Sequence, residues 1–313
     1  VYVSCWLKRY YPAVFCASIL NSQPMGFYAP SQLVRDAREH GVSVASVDVN
    51  HSDWECTLER TVGSTEISAS QPWQLRLGLL MIRGLAKQIG EQIVTVRQAG
   101  GIYRDLADFT RRTRLGQAVI TRLADAGALA SLTGDRRAAY WQALAQDCSA
   151  KELSLFEATG ADGDEPLPEF LQPMQEIEEV YADYETTGLS LRAHPVWFVR
   201  EQLDRLRVVT AQQLKSTADG RFVRVAGIVL LRQRPATAKG ITFVTLEDET
   251  GTMNLVLKPK VWERHYKVAR SSNAWLVNGA LENREGIAHV VVGRLEDLTD
   301  QVAGLILKSR DFH

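Results

Sequence analysis

Hydrophobic spacing divides the chain into a long helical stretch and a later stretch of strands. After Pro12, a residue suited to the first turn of a helix, Val14, Phe15, Ile19 and Leu20 follow an amphipathic spacing that stops near Asn21. The turn-rich NSQPMGFYAPS then leads to Leu33, Val34 and Ala37, with Ser31 the expected N-cap and Gly41 the expected C-terminal stop. Val42, Val44, Val47 and Val49 predict a short strand, so the first 70 or so residues read as mainly helical. From Leu75 to Leu132 short helices alternate with glycines: Ile89, Ile93 and Val96 share one face, and Leu106 with Phe109, then Ile120 with Leu123, mark two more. Ile177, Val180, Tyr181 and Tyr184 predict a helix that stops around Gly188, and His194-Pro195 open another that runs through Leu203.

The last hundred residues change period. Apolar runs at Phe222 to Leu231, Ile241 to Leu246, Met253 to Leu257, Ala274 to Leu281 and Ile287 to Val292 are separated by turn signals at Lys239-Gly240, Asp248 to Gly251 and Glu285-Gly286. A helical interval, Pro259 to Ala269, falls between the third and fourth runs. Five strands with a helix in that place is the order of an OB-fold, a small barrel used for single-stranded nucleic acid.

Composition adds little until charge is read by position. The chain has 313 residues, 45% of them apolar, and a net charge of -1, which by itself argues against a polyanionic partner. The average hides a division: Gln74 to Tyr140 holds eleven Lys or Arg against five Asp or Glu, and Glu152 to Leu191 holds eleven acids and no base. Arg221 to Lys239 has five bases and no acid. Two basic modules around an acidic spacer fit a protein that touches phosphates at two places and is repelled between them. The four cysteines (Cys5, Cys16, Cys56, Cys148) form no C-x-x-C pair and read as free thiols of a reducing cytoplasm. No apolar run approaches the roughly 20 residues that span a bilayer, and VYVSCWLKRYYP lacks a signal-peptide layout, so neither membrane insertion nor secretion is expected.

Within this frame, Arg83 to Gln98 resembles a helix-hairpin-helix, in which a tight G-x-G turn brings backbone N-H groups and a helix dipole to a DNA phosphate. Gly84 fits the first glycine position and Ala86 occupies the second, a substitution that shifts weight onto Arg83 and Lys87. The stretch from Gly101 through Gly127 resembles a companion hairpin; for both, plain helical packing is the competing reading. In the expected barrel, Arg232, Arg234 and Lys239 are candidates to neutralise phosphates. Phe243 either offers a face for base stacking or points into the core, because a one-residue register shift reverses every side chain of a strand. Trp262 and Tyr266, four apart on the inserted helix, read as packing against the barrel. Glu152, Leu153, Ser154, Leu155 and Phe156 resemble the bacterial sliding-clamp-binding peptide, with Leu153, Leu155 and Phe156 as anchors and Glu152 in place of the usual glutamine.

Carboxylates for two-metal phosphoryl transfer are not found. Asp48 and Asp53 flank a turn-like VNHS, and Glu247, Asp248 and Glu249 read as a solvated turn before Gly251. No P-loop, G-x-S-x-G or supported Cys-His pair occurs, so no cofactor is expected here and no catalysis by this region alone.

Taken together, YVSCWLKRYYPAVFCASILNSQPMGFY, QLVRDAREHGVSVASVDVNHSDW, the hairpin unit from Leu77 to Leu132, TGLSLRAHP, VAGIVLLRQRPATAKGITFVTLEDETG and the terminal SRDFH closely resemble the C-terminal half of the error-prone DnaE-type, or ImuC, branch of DNA polymerase III alpha subunits. The resemblance implies a multidomain α+β chain: the end of a fingers domain (1–73), a tandem helix-hairpin-helix DNA-binding domain (74–150), the clamp motif, acidic linker and short helices (151–205), an OB-fold barrel (206–300) and a tail (301–313). The palm, with aspartates that bind Mg2+, would lie upstream of Val1. A bacterial, cytoplasmic translesion polymerase of the DNA-damage response is implied, whose partners are primer-template duplex, single-stranded DNA, the sliding clamp, ImuA and ImuB. Two rivals stay open at this point: a protein-interaction module that scarcely touches DNA, and an RNA-binding OB protein.

Overall fold

The computed structural model describes residues 2–24, 29–60, 73–145, 173–284, 287–299 and 310–312. They fall into two compact units, Val1–Leu191 and Arg192–His313.

The first unit opens with α1 (Tyr2–Tyr10), α2 (Pro12–Asn21) and α3 (Pro30–Glu39), followed by β1 (Val44–Ala45), β2 (Thr57–Arg60) and β3 (Trp73–Arg76). Pro12 starts α2 as its spacing requires, but the N-cap of α3 is Ala29, not Ser31. Pro30 takes the first helical position, where its missing N-H is no loss, and Gln32 accepts the Ala29 amide at 3.2 Å. The strand expected across Val42 to Val49 shrinks to β1, which lies parallel to β3, with β2 antiparallel on the other side. Val49 is fully buried, yet its amide goes to the Ala128 carbonyl at 2.9 Å, outside any sheet.

Among the described residues of this unit there follow α4 (Lys87–Gly100), α5 (Leu106–Thr113), α6 (Gln117–Asp125), α7 (Ala130–Thr133), α8 (Arg136–Ala145) and α9 (Glu176–Thr186). The apolar faces of α4, α5, α6 and α8 join those of α2 and α3 in one core that runs from Ala13 to Leu189 and includes Leu20, Leu75, Ile93, Phe109 and Leu123. The boundary expected at residue 73 therefore falls inside a single unit. The cause is local: β3 begins at Trp73 and is stitched on both sides to strands that precede it.

The second unit begins within the stretch expected as linker, with a 3-10 turn (Pro195–Val199), α10 (Arg200–Arg205) and α11 (Ala211–Lys215). Arg200 ties this entry to the barrel, its Nε 2.6 Å and Nη2 2.9 Å from the Glu249 carboxylate. Then come β4 (Phe222–Gln233), β5 (Thr242–Glu247), β6 (Thr252–Leu257), α12 (Pro259–Arg264), α13 (Tyr266–Ser271), β7 (Ala274–Arg284), β8 (Ile287–Asp297) and β9 (Arg310–Phe312). The strands run β5-β6-β8-β7-β4, and β4 also pairs with β5, which closes a five-stranded barrel of OB type. Closure depends on β4 serving two neighbours. Phe222 to Ile228 pair with β7, Ile228 to Gln233 with β5, and a bulge between Val229 and Leu231 bends the strand from one to the other.

Candidate nucleic-acid interface

The first hairpin is a tight turn between a 3-10 segment (Leu79–Met81) and α4. Gly84 sits at φ 73°, a left-handed conformation that glycine adopts without steric cost, and Leu85 is buried beneath it. Ala86 caps α4 with extended backbone (φ -73°, ψ 141°), and its carbonyl receives the Ile89 and Gly90 amides at 3.0 and 3.2 Å. The Gly84 and Ala86 amides have no acceptor among the described residues. Ala86 therefore keeps the backbone that a phosphate-binding turn requires, and its methyl group is the only addition.

Thirty residues on, the same geometry returns without the same residues. Arg114 sits at φ 51°, Leu115 is buried, and Gly116 caps α6 at φ -70°, ψ 153°. The Gly116 carbonyl receives the Val119 and Ile120 amides at 2.9 and 3.3 Å, as Ala86 does for Ile89 and Gly90. The apex of the second hairpin is thus Arg114-Leu115-Gly116, inside the stretch from Gly101 through Gly127 but at neither of its ends. A glycine search misses it because an arginine fills the left-handed position. The signal available in the sequence was the 30-residue offset pairing Leu85 with Leu115, Ile89 with Val119 and Ile93 with Leu123.

The basic excess of this region is partly consumed inside the fold. Arg76 pairs with Glu59, Arg97 with Asp53, and Arg111 and Arg112 with Asp108, while Arg137 meets Glu178 at 3.1 Å. Buried Arg136 lies 3.0 Å from Glu179 and 2.5 Å from Asp183. Three acids of α9, Glu178, Glu179 and Asp183, thus pair with the two arginines of α8. Burial pushes the Asp108 carboxyl up, but hydrogen bonds from Arg112, the Arg104 amide and Arg111 outweigh it and hold the group below its ordinary value. Exposed bases remain at the hairpins. Arg83 donates to the Glu185 carbonyl (3.1 Å) and Arg122 to the Gly84 carbonyl (2.7 Å), Lys87 is loosely paired with Glu91 at 3.6 Å, and Arg114 projects from the second apex.

In the barrel the predicted cations part company. Arg232 is 5% exposed, stacked over the Trp275 ring with its guanidinium donating to the Ser272 carbonyl, so it is a core residue and not a phosphate ligand. The β4 bulge is the reason: Val223, Val225 and Val229 alternate inward before it, and the extra residue turns Arg232 inward after it. Arg234 and Lys239 stay exposed in the loop between β4 and β5. Phe243 points outward, 39% exposed beside Gln233 and Val256, on the strand face that OB-folds use for oligonucleotides. Trp262 packs on the core as expected, whereas Tyr266 is 46% exposed and touches Trp262 edge-on. The clamp-like peptide Glu152 to Phe156 lies outside the described residues.

The carboxylates near VNHS do not suit a magnesium ion. Asp48 is buried and receives the Ser131 hydroxyl at 2.8 Å and the Asn50 amide at 2.8 Å, and Asp53 is held by Arg97 at 2.6 Å. Among the described residues no group of three or more His, Cys, Asp or Glu is placed to hold a metal, and no helix is long and apolar enough to cross a membrane. Burial above all pushes the Cys16 thiol up to about 12 and the Cys56 thiol up to about 11, which leaves both protonated and unreactive.

Comparison with known proteins agrees with this geometry. The helix-hairpin-helix motif family matches residues 41–139, and the OB-fold nucleic acid binding domain family matches 223–298. The error-prone DNA polymerase of Rhodopirellula baltica is 53% identical over the whole chain, which spans 27% of that protein and aligns with its C-terminal part. The chain corresponds to the C-terminal part of error-prone DNA polymerases. Error-prone DNA polymerase 1 of Rhizobium meliloti and the error-prone DNA polymerase of Alkalilimnicola ehrlichii, 43% and 44% identical, are likewise matched by all of the chain over 29% of their length. Within an error-prone polymerase, the described residues thus form a DNA-binding C-terminal region of paired hairpins and an OB barrel.

Proposed function

We propose that this region holds DNA for a translesion polymerase of the bacterial damage response, duplex at the two hairpins and single-stranded template at the barrel. One observation carries the reading. Two turns of different sequence share one backbone, and each presents an exposed helix start beside a base, Lys87 in the first and Arg114 in the second. That geometry suits regularly spaced phosphates. Nucleotide addition, with its Mg2+, belongs in this reading to the rest of the polymerase. Residues 152–156 would engage the sliding clamp, and other surfaces ImuA and ImuB, in a bacterial cytoplasm.

Fluorescence anisotropy with primer-template, single-stranded DNA and RNA of the same sequence, across a salt series, tests the DNA half. Affinity for DNA that falls steeply with salt is expected, because each phosphate contact contributes about 0.7 to 0.9 to the log-log slope. Undetectable or salt-independent binding would leave a partner-recruiting module, and a preference for RNA would move the protein to another class. Clamp binding is tested separately with Leu155→Ala, Phe156→Ala, which should abolish capture of the clamp and leave DNA affinity alone.

A further inference from the structure

The five bases between Arg221 and Lys239 draw attention in the sequence, but folding withdraws two of them. Arg232 is buried, and Arg224 is held by Asn278 at 2.8 Å and the Leu206 carbonyl at 2.8 Å. A second basic run, Lys258 to Arg270, is denser at the surface than that one. It contains Lys258, Lys260, Arg264, Lys267 and Arg270 against the single acid Glu263. The two helices of this run bury Ala269 and pack Val261, Trp262 and Val268 onto the barrel core. Their amphipathic pattern therefore leaves all five bases exposed. Of these, Arg270 is engaged by Tyr266, which it covers at 5.7 Å from the ring centre, while Lys258, Lys260, Arg264 and Lys267 meet no carboxylate in an ion pair among the described residues. Nearby, Arg294 is paired with Glu296 at 3.1 Å.

This surface is continuous with the loop that borders the strand face. A Cβ placed on Gly240 would lie 3.3 Å from Pro259 Cγ, at the first residue of α12, and 3.5 Å from Arg234 Nη2. Arg234 and Lys239 on the loop thus adjoin Lys258 and Lys260 at the start of the helices, and Arg264 and Lys267 continue the track. The field is felt by His265. Burial first, then Arg264 and Arg294, hold its imidazole below the usual range, so it adds no charge of its own at neutral pH.

We propose that α12 and α13 form a second, phosphate-binding surface of the barrel, which takes the backbone of single-stranded DNA as it leaves the strand face over the loop between β4 and β5. The occupant follows from the chemistry. A row of cations without carboxylate partners among the described residues, with one exposed aromatic, Tyr266, suits a flexible polyanion with stackable bases better than a folded protein. The strand face near Phe243 then grips bases, and the helices lengthen the footprint by holding phosphates. This inference rests on the barrel being a DNA-binding module.

The test compares the full chain with Lys260→Gln, Arg264→Gln, Lys267→Gln, using oligothymidylates of about 4 and about 12 nucleotides and salt from about 50 to 200 mM. The longer strand should lose about 2 from its log-log salt slope, at about 0.7 per phosphate for single strands, while the shorter one is unaffected. The single variant Lys260→Gln, with a thermal melt matching the parent, should lose about 0.7, and Lys260→Arg should restore it. An unchanged slope on the longer strand, or equal loss on both lengths, overturns the helix surface while leaving the barrel a DNA binder. Failure of the parent chain to bind either strand overturns both readings.

Discussion

The two hairpins share a backbone and differ in where they place glycine. In the first, Gly84 lies under the Arg122 guanidinium, and Gly90, one turn into α4, faces the Trp54 ring so closely that a Cβ would come within 2.3 Å of it. Glycine there serves packing, and the neighbouring arginines are tied to carbonyls of α9 and of the turn itself. In the second, glycine stands at the exposed cap, with nothing within 4 Å of a Cβ at Gly116, and buried Ile120 takes the place of Gly90. The difference assigns roles. The first hairpin is built into the scaffold, whereas the second is presented to solvent with a free arginine at its tip.

The largest effect that breaks this comparison comes from copying one hairpin into the other. Gly90→Ile forces a side chain into Trp54 and should cost about 3 kcal/mol, read as a lower urea midpoint for the helical unit; a stability equal to the parent would show that the two helices are interchangeable. Next, Gly116→Ala should weaken binding to primer-template about five-fold, or ~1 kcal/mol, with little change in the melt. The reverse exchange, Ala86→Gly, should strengthen it, and the opposite ranking would make the first hairpin the principal contact. Arg114→Gly should lower the duplex salt slope by about 0.9 and shift stability by less than about 1 kcal/mol, because relief of left-handed strain offsets added chain entropy. The smallest effect is on pH. Asp108 titrates below its ordinary value of 3.8, so the stability it lends α5 is complete above that pH and drains as pH falls through the lower native value. Acid unfolding of Asp108→Asn should lack this component; an identical profile would remove Asp108 from the account of the second hairpin.

How legible these features were depended on whether one residue could announce them. The barrel was readable strand by strand, since period-2 alternation and glycine turns report a half-buried sheet directly. The first hairpin was readable because Gly84 marks a left-handed turn. Its companion could be bracketed but not located, because Arg114 adopts that turn and carries no compositional mark. The short sheet of the first unit was missed for a similar reason: β1 has two residues and pairs with β3, which begins 28 positions after β1 ends, so no local pattern encodes it. Arg232 misled because its burial depends on parity, and parity changed at a bulge with no glycine to signal it. In the helical interval Pro259 to Ala269, Trp262 announces the face that packs on the barrel, while the bases of the opposite face match no motif and so carry no signal of their own.

That bulge has a consequence for how such a barrel can change. Were β4 to pair with β5 without the bulge, keeping Leu230 as an ordinary strand residue, alternation from Val229 would swing Arg232 toward solvent and bring Leu231 and Gln233 inward, with no side chain rewritten. One step of register, not of composition, separates a cation that serves as mortar from one that serves as bait. Surfaces of this kind can therefore gain or lose a polyanion contact through a shift in strand register, a route that comparison by substitution alone would overlook.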